Sequence, residues 1–386
     1  MVDVKAITEA KSAAVNSGKA TVRIYFGQSG FAELMPEWQQ LAAAKAAHFL
    51  HYPGWYGAEL KNRRNDSQIY FVACYEDAKL FAILPLERTF WRKGRITVPV
   101  LQLFYPNEMG VNDIISDRPL APYRATLVQT LRRTLPYFAF IRCQCVLENG
   151  YAVTLLAEDQ KARPTHTSKY IDFSQGFNIF WENYRSKFRK SLQKKMRKAE
   201  EQGALRLWCA TRSGELPEAF EHFLAVEDSG WKGDAGTSIK KQPDKLAYYQ
   251  YLLDHYARHG LCQINILYCN DIPIAAQFGV RVGSRLFLLK IGYREDFAAV
   301  SPGYLLLYKL AEQSAAQGSI DSVSFVTGVN WIDRWHPRHI SVGIFYLSNG
   351  SWYSAALVWA LEKAVRLRDS RKKTVPDDDN SEDSDP

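Results

Sequence analysis

The chain has 386 residues, a formal net charge of +8 and 47% hydrophobic content. That length and composition suit two packed domains, and no apolar run approaches the roughly 20 residues that span a bilayer. The cationic surplus favours anionic partners such as phosphates, nucleotides, nucleic acid or an acidic lipid surface. The six cysteines offer no zinc-like spacing.

Residues 1–20 lack the apolar core of a signal peptide. A flexible leader and a cytoplasmic protein are the expectation. Thr21 to Phe26 alternates as a strand, and Phe31 to Phe49 has helical spacing. Gln68 to Tyr75 and Lys79 to Leu86 predict a hairpin across Glu76-Asp77-Ala78. Ile96 to Phe104 predicts a strand with an edge or bulge at Pro99. Pro119 to Leu135 predicts a helix, and Phe138 to Leu147 is rich in β-formers. Alternation puts Cys143 and Cys145 on one strand face, as core thiols.

Lys161 to Thr167 is poor in apolar residues and holds Pro164, so the domain boundary is expected there. The division is 21–160 and 168–352, with a C-terminal helix at 353–370 and a disordered acidic tail at 371–386. In the second half, Trp181 to Gln202 predicts one helix ending at Gly203. Leu205 to Ala210 predicts a strand; Leu216 to Asp228 and Gln242 to His259 predict helices. Strands Cys262 to Cys269 and Ile274 to Val282 flank an Asn270-Asp271 turn. Then come an apolar strand, Leu286 to Tyr293, the triplet Ser301-Pro302-Gly303, a helix from Tyr304 to Gln317, and a strand from Ser322 to Thr327. Tyr353 to Asp369 predicts the last helix. The tail segment Asp377 to Asp385 carries six acidic residues and no basic ones, a composition that does not fold. It either screens the basic body or serves as a solubilising extension.

Ser301 suits an N-cap, Pro302 the first helical position, and Gly303 a close backbone approach. First-turn N–H groups would then bind an anion such as a pyrophosphate. The basic helix carries Arg185, Lys187, Arg189, Lys190, Lys194, Lys195, Arg197 and Lys198. Its apolar positions Trp181, Tyr184, Phe188, Leu192 and Met196 share one face. That leaves three readings: a solvated face, attraction of a phosphate-bearing substrate, or binding of nucleic acid or membrane. No Ser-His-Asp pattern, metal set or triphosphate-binding loop emerges.

The succession of Trp181 to Lys190, Ser229 to Thr237, Ile272 to Gly279, Ser301-Pro302-Gly303, Gly328 and Trp335 resembles a known family. It is similar to the GNAT-like acetyltransferases of bacterial cellulose and exopolysaccharide synthesis, relatives of the Fem-type peptidyltransferases. A looser match covers His51 to Tyr56 and Ala82 to Leu86. Fem-type enzymes follow the last glycine with a Tyr-Lys pair; here Trp331 stands beside Ile332, so that lysine's role does not carry over.

The resemblance implies an α/β fold of two tandem GNAT-like domains, and an acyl-CoA-dependent N-acyltransferase. Its acceptor would be an amine on a sugar, an envelope or polysaccharide precursor, or a small metabolite. It implies acetyl-CoA or another acyl-CoA as co-substrate, and no metal. Ser301, Pro302, Gly303 and Tyr304 would hold the carrier. Glu227 and Asp228 are the leading candidates for a base, with His336 and Asp321 behind them; a solvated helix end is the competing reading for the first two. Tyr293 could protonate the leaving thiolate or simply pack. Trp231, Lys232 and Gln277 would line the acceptor cleft, Trp231 serving equally well as core. Two alternatives stay open: Fem-type transfer from aminoacyl-tRNA, and a GNAT-fold binding protein without catalysis.

Overall fold

A computed structural model of the chain describes residues 20–63, 65–105, 110–157, 160–230 and 235–372. Its organising feature is one mixed sheet of 13 strands. The first half supplies β1 (Ala20–Phe26), β2 (Ile69–Glu76), β3 (Lys79–Lys93), β4 (Ile96–Leu103), the short β5 (Ile115–Ser116) and β6 (Phe140–Leu147). Its helices are α1 (Gly27–Lys45), α2 (Pro53–Asn62) and α3 (Arg124–Thr134). Strand β7 (Arg163–Asp172) leads into α4 (Phe177–Glu182), α5 (Ser186–Glu200), β8 (Leu205–Ala210), α6 (Leu216–Asp228) and α7 (Pro243–Arg258). Then come β9 (Cys262–Cys269), β10 (Ile272–Val282), β11 (Arg285–Tyr293), α8 (Pro302–Gln317), β12 (Ser322–Ser324), β13 (Arg338–Ser348) and α9 (Trp352–Lys372).

The strand order is β1-β2-β3-β4-β6-β13-β7-β12-β11-β10-β9-β8. Read from either end, it repeats one pattern: four antiparallel strands, a parallel neighbour, then a strand from the other half. The parallel pairs are β4 with β6 and β11 with β12. The exchanged strands are β13, which pairs with β6, and β7, which pairs with β12. They also pair with each other, so the sheet is unbroken at its middle. The segment expected as a linker is therefore β7. Its exposed start, Pro164 to His166, gives way to buried Ser168, Lys169 and Ile171.

One core unites the halves on one side of the sheet, beneath α1, α2, α6 and α7. Separate cores lie under α3 and under α4, α5 and α8 on the other side. Helices α2 and α7 meet closely. A side chain built on Gly54 would come within 2.1 Å of the His255 ring. The Trp55 and Tyr248 rings stand edge to face at 5.7 Å.

Several expectations change. The helix expected over 181–202 is two helices, broken at Arg185, whose ψ of 141° is not helical. The nearby Tyr184 hydroxyl donates to the Trp335 carbonyl at 2.8 Å. Strand β3 runs on to Lys93 instead of ending at Leu86, because β4 pairs along its whole extension. Cys143 and Cys145 lie on opposite faces, in different cores. Cys145 takes a φ of 56°, which breaks the alternation beside a bulge in the ladder with β13. Burial pushes the Cys74 and Cys262 thiols up to about 12, so they are inert core groups. The leader lies outside the described residues apart from Ala20, which belongs to β1, and so does the tail from 373 onward. No described helix is long and apolar enough to cross a membrane.

Candidate functional site

The site grows from a fork in the sheet. Strand β11 is antiparallel to β10 along its length, but its parallel ladder with β12 covers only Arg285–Phe287 against Ser322–Ser324. Strand β12 stops early because the chain turns at Val326, with φ of 62°; the Phe325 N–H donates to the Lys169 carbonyl instead. The expected strand to Thr327 is thus shortened by this turn. Beyond Phe287 the two strands part, and the register of β10 against β11 shifts at Phe278/Gly279. A 3-10 turn, Glu295–Val300, then brings the chain to the start of α8 beside the open end of β11.

A cleft of about 540 Å³ occupies this fork, within the usual range for small-molecule sites. Ser301, Pro302, Gly303 and Tyr304 line one end, together with Lys195, Trp331 and Arg334. Glu227, Gly230, Gln277, Gly292, Tyr293 and Glu295 line the rest. It therefore joins the α8 side of the sheet to the α6 side.

The α8 end is built for negative charge. Lys195, from α5, places its Nζ 2.6 Å from the Ser301 hydroxyl and 6.0 Å from the Tyr304 ring centre. The positive end of the α8 dipole faces the same space. Ser301 is not the side-chain cap that its type suggests. It sits in the left-handed region, with φ of 50°, and makes no capping bond. Nor are the first-turn amides all available. Pro302 has no N–H, and those of Tyr304 and Leu305 donate to the Ser301 carbonyl at 2.9 and 3.3 Å. That leaves the Gly303 N–H. A side chain built on Gly303 meets nothing within 4 Å, so this turn presents bare backbone to the cleft. The Tyr304 hydroxyl donates to the Trp331 carbonyl, fixing the ring as a wall. Burial raises the pKa of that hydroxyl, which keeps it neutral.

The α6 end carries a carboxylate. Glu227 is 3% exposed and lies against β11, where a side chain built on Gly292 would stand 3.2 Å from the Glu227 Cα. Its Oε2 accepts from the Ile239 N–H at 2.8 Å, and Lys290 Nζ stands 3.9 Å from its Oε1. Gln277 is buried, its Oε1 accepting from Asn265, whose own Oδ1 accepts from Gln263. Tyr293 is 47% exposed at the mouth.

The fork thus assembles seven of the ten expected side chains: Glu227, Gln277, Tyr293, Ser301, Pro302, Gly303 and Tyr304. Asp228 is not among the lining residues. Its carboxylate accepts from the Ser238 hydroxyl at 2.6 Å and stands 3.7 Å from Lys241, closing the loop after α6. Trp231 and Lys232 lie outside the described residues. Asp321 accepts from the Ser322 hydroxyl, and His336 stacks beside Tyr184; neither lines the cleft. Lys195, Arg334 and Glu295 were not singled out from sequence. The basic helix signalled Lys195 only as one of eight cations.

A scan of protein families matches residues 186–335 to the acetyltransferase (GNAT) domain. That span contains α5, the whole fork and the cleft lining. Among solved structures, FemX is similar at a TM-score of 0.54 and 10% identity, over 81% of this chain and 96% of that one. A conserved protein of unknown function from Bacteroides thetaiotaomicron VPI-5482 gives 0.51 and 10%, over 81% and 97%. The C-terminal domain of a putative lysylphosphatidylglycerol synthetase from Agrobacterium fabrum gives 0.50 and 11%, over 87% and 97%. At these identities the likeness is one of fold. No curated protein sequence matches the chain.

Proposed function

We propose that the chain transfers an acyl group from an acyl-CoA to a primary amine in the forked cleft. The observation carrying this reading is the cleft's polarity: Lys195 and bare backbone at the start of α8, a buried carboxylate on the α6 side, and the open edge of β11 between them. The GNAT domain match over the same residues supports an acyltransferase.

In this reading the carrier's phosphates lie against the Gly303 N–H, Lys195 and the α8 dipole. Its thioester runs along β11, whose unpaired edge supplies donors to the carbonyl oxygen. Glu227 takes a proton from the entering ammonium. The amine nitrogen attacks the carbonyl carbon, the C–N bond forms, and the C–S bond breaks. Tyr293 gives its proton to the departing thiolate and takes the second proton from the acylated nitrogen, which leaves the amide, the free thiol and a protonated Glu227 that releases its proton to solvent. The acceptor class we favour is an amino sugar or another amine of an envelope or polysaccharide precursor, as the family resemblance implies.

A second reading has its own observation. Arg185, Lys187, Lys190, Lys194, Arg197 and Lys198 of the α5 segment are all exposed, and Lys195 of the same helix reaches the cleft. Such a face suits a polyanion, as aminoacyl-tRNA would be. The absence of a lysine after Trp331 weighs against it.

The test is thiol release from acetyl-CoA with a panel of amines, set beside thermal stabilisation by acetyl-CoA and by tRNA. Turnover with an amine supports the proposal; stabilisation by tRNA alone supports the second reading. Gly303→Trp fills the open space at the start of α8. It should abolish the acetyl-CoA response while the melting temperature without ligand stays put. Unchanged affinity in that variant would refute the placement.

A further inference from the structure

Away from the cleft, two elements expose rings and cations together. Ten large apolar side chains are exposed among the described residues, and five of them belong to the β3–β4 hairpin tip and α9. Phe90 is 57% exposed and Ile96 59%. Between them stand Arg92, Lys93 and Arg95, all exposed, and no acidic residue. On α9, Trp352 is 84% exposed and Trp359 63%. Seven residues apart, these two share a helix face with Ala356 and Lys363. The Lys363 ammonium lies 4.8 Å above the Trp359 ring. The opposite face of α9 is already committed: Leu361 is buried with Val100, Ala139 and Phe140, and Leu357 packs there too. Trp91 and Val98 of the hairpin join the same cluster, so hairpin and helix adjoin.

We propose that this hairpin tip and the outer face of α9 dock on an anionic lipid bilayer. The rings fit the interfacial zone, where tryptophan is favoured because one side of it is apolar and its N–H stays wet. The hairpin cations fit the negative surface potential. Since no described helix can cross a membrane, the contact is interfacial. A second protein copy would meet three like charges at the tip across any symmetric contact, which argues against self-association there. This inference is independent of the acyl-transfer reading.

Vesicle co-sedimentation tests it, with phosphatidylglycerol–phosphatidylcholine vesicles against phosphatidylcholine alone. The full chain should partition onto the anionic vesicles. A triple Arg92→Gln, Lys93→Gln, Arg95→Gln variant should lose on the order of a hundredfold in partitioning, at roughly fivefold per cation. Trp352→Ser with Trp359→Ser should also lose binding, with an unchanged circular dichroism spectrum; both rings are exposed, so the fold should survive. Equal partitioning onto both vesicle types would overturn the proposal. So would full binding by both variants, or a dimer in light scattering that only the tryptophan variant dissolves.

Discussion

Lys195 and Glu227 stand at opposite ends of one cleft and should fail differently. Lys195 meets the Ser301 hydroxyl at 2.6 Å where a phosphate would lie. Its removal should cost a charge-assisted contact, about 1.5–3 kcal/mol. Lys195→Ala should therefore raise KM for acetyl-CoA roughly tenfold or more, and salt should narrow the gap from the parent chain. Glu227→Gln keeps the side chain's volume and its place against β11 but cannot take a proton. It should lower kcat by about 10²–10⁴ while acetyl-CoA still stabilises the protein. Steady-state kinetics beside a binding titration separate the two; equal kcat in parent and Glu227→Gln would move the base elsewhere. Sequence carried Glu227 only as one of two adjacent carboxylates at a helix end. What divides it from Asp228 is direction: one side chain turns in toward β11, and its neighbour turns to Ser238. Neighbouring residues differ by about 100° around a helix, but which of them faces the cleft depends on how α6 sits on the sheet.

At the scale of elements, the helix starts of the two halves contrast. Ser301-Pro302-Gly303 opens α8 onto bare backbone. The corresponding turn before α3 reads Ala121-Pro122-Tyr123, and the Tyr123 ring packs 4.7 Å from that of Phe81. The space is taken. Titration calorimetry should find one acetyl-CoA per chain; two sites would contradict this. The seam of α2 and α7 has its own signature. Burial first, then the charges of His259 and Arg258, hold the His255 imidazole down to about 4. Below about pH 6.5 the unfolded chain takes a proton that the folded chain refuses until near pH 4. Stability from this group is thus full above pH 6.5 and lost as pH falls toward 4. Melting temperature should drop across that window, and His255→Asn should flatten the slope. Much of this was legible as elements. Asn270-Asp271 does form the turn between β9 and β10, Pro302 does open its helix, and three elements (β8, α6 and β9) match residue for residue. Strands β7 and β13 were not foreseen. Their partners lie far along the chain, and the residues that pair them are too polar to signal a central strand: Arg338, His339 and Ser341 in one, Thr165, His166 and Thr167 in the other.

Over the whole molecule, the palindromic strand order leads us to propose two copies of a GNAT-like unit that have exchanged their sixth strands. The exchange gives β7 to the first unit, so the division lies just after Asp172, beyond the 161–167 stretch expected from sequence. Each unit then lacks one inner strand when alone: β6 would lose β13, and β12 would lose β7. The shared core under α1, α2, α6 and α7 would also be cut through. Residues 20–172 and 173–372, expressed separately, should each be poorly soluble with an exposed sheet edge. Co-expression should restore soluble protein. Two independently soluble, cooperatively melting halves would refute the exchange as a structural necessity.

Strand β13 has one more consequence, in the order in which the chain is made. Residues 140–147 emerge early in synthesis, yet the strand that completes their inner side ends at Ser348. A ribosome must therefore translate about two hundred further codons before the first-made half can close. Through that interval its open flank is exposed to chaperones, and a strand made late in the chain sets the lock for one made in its first half.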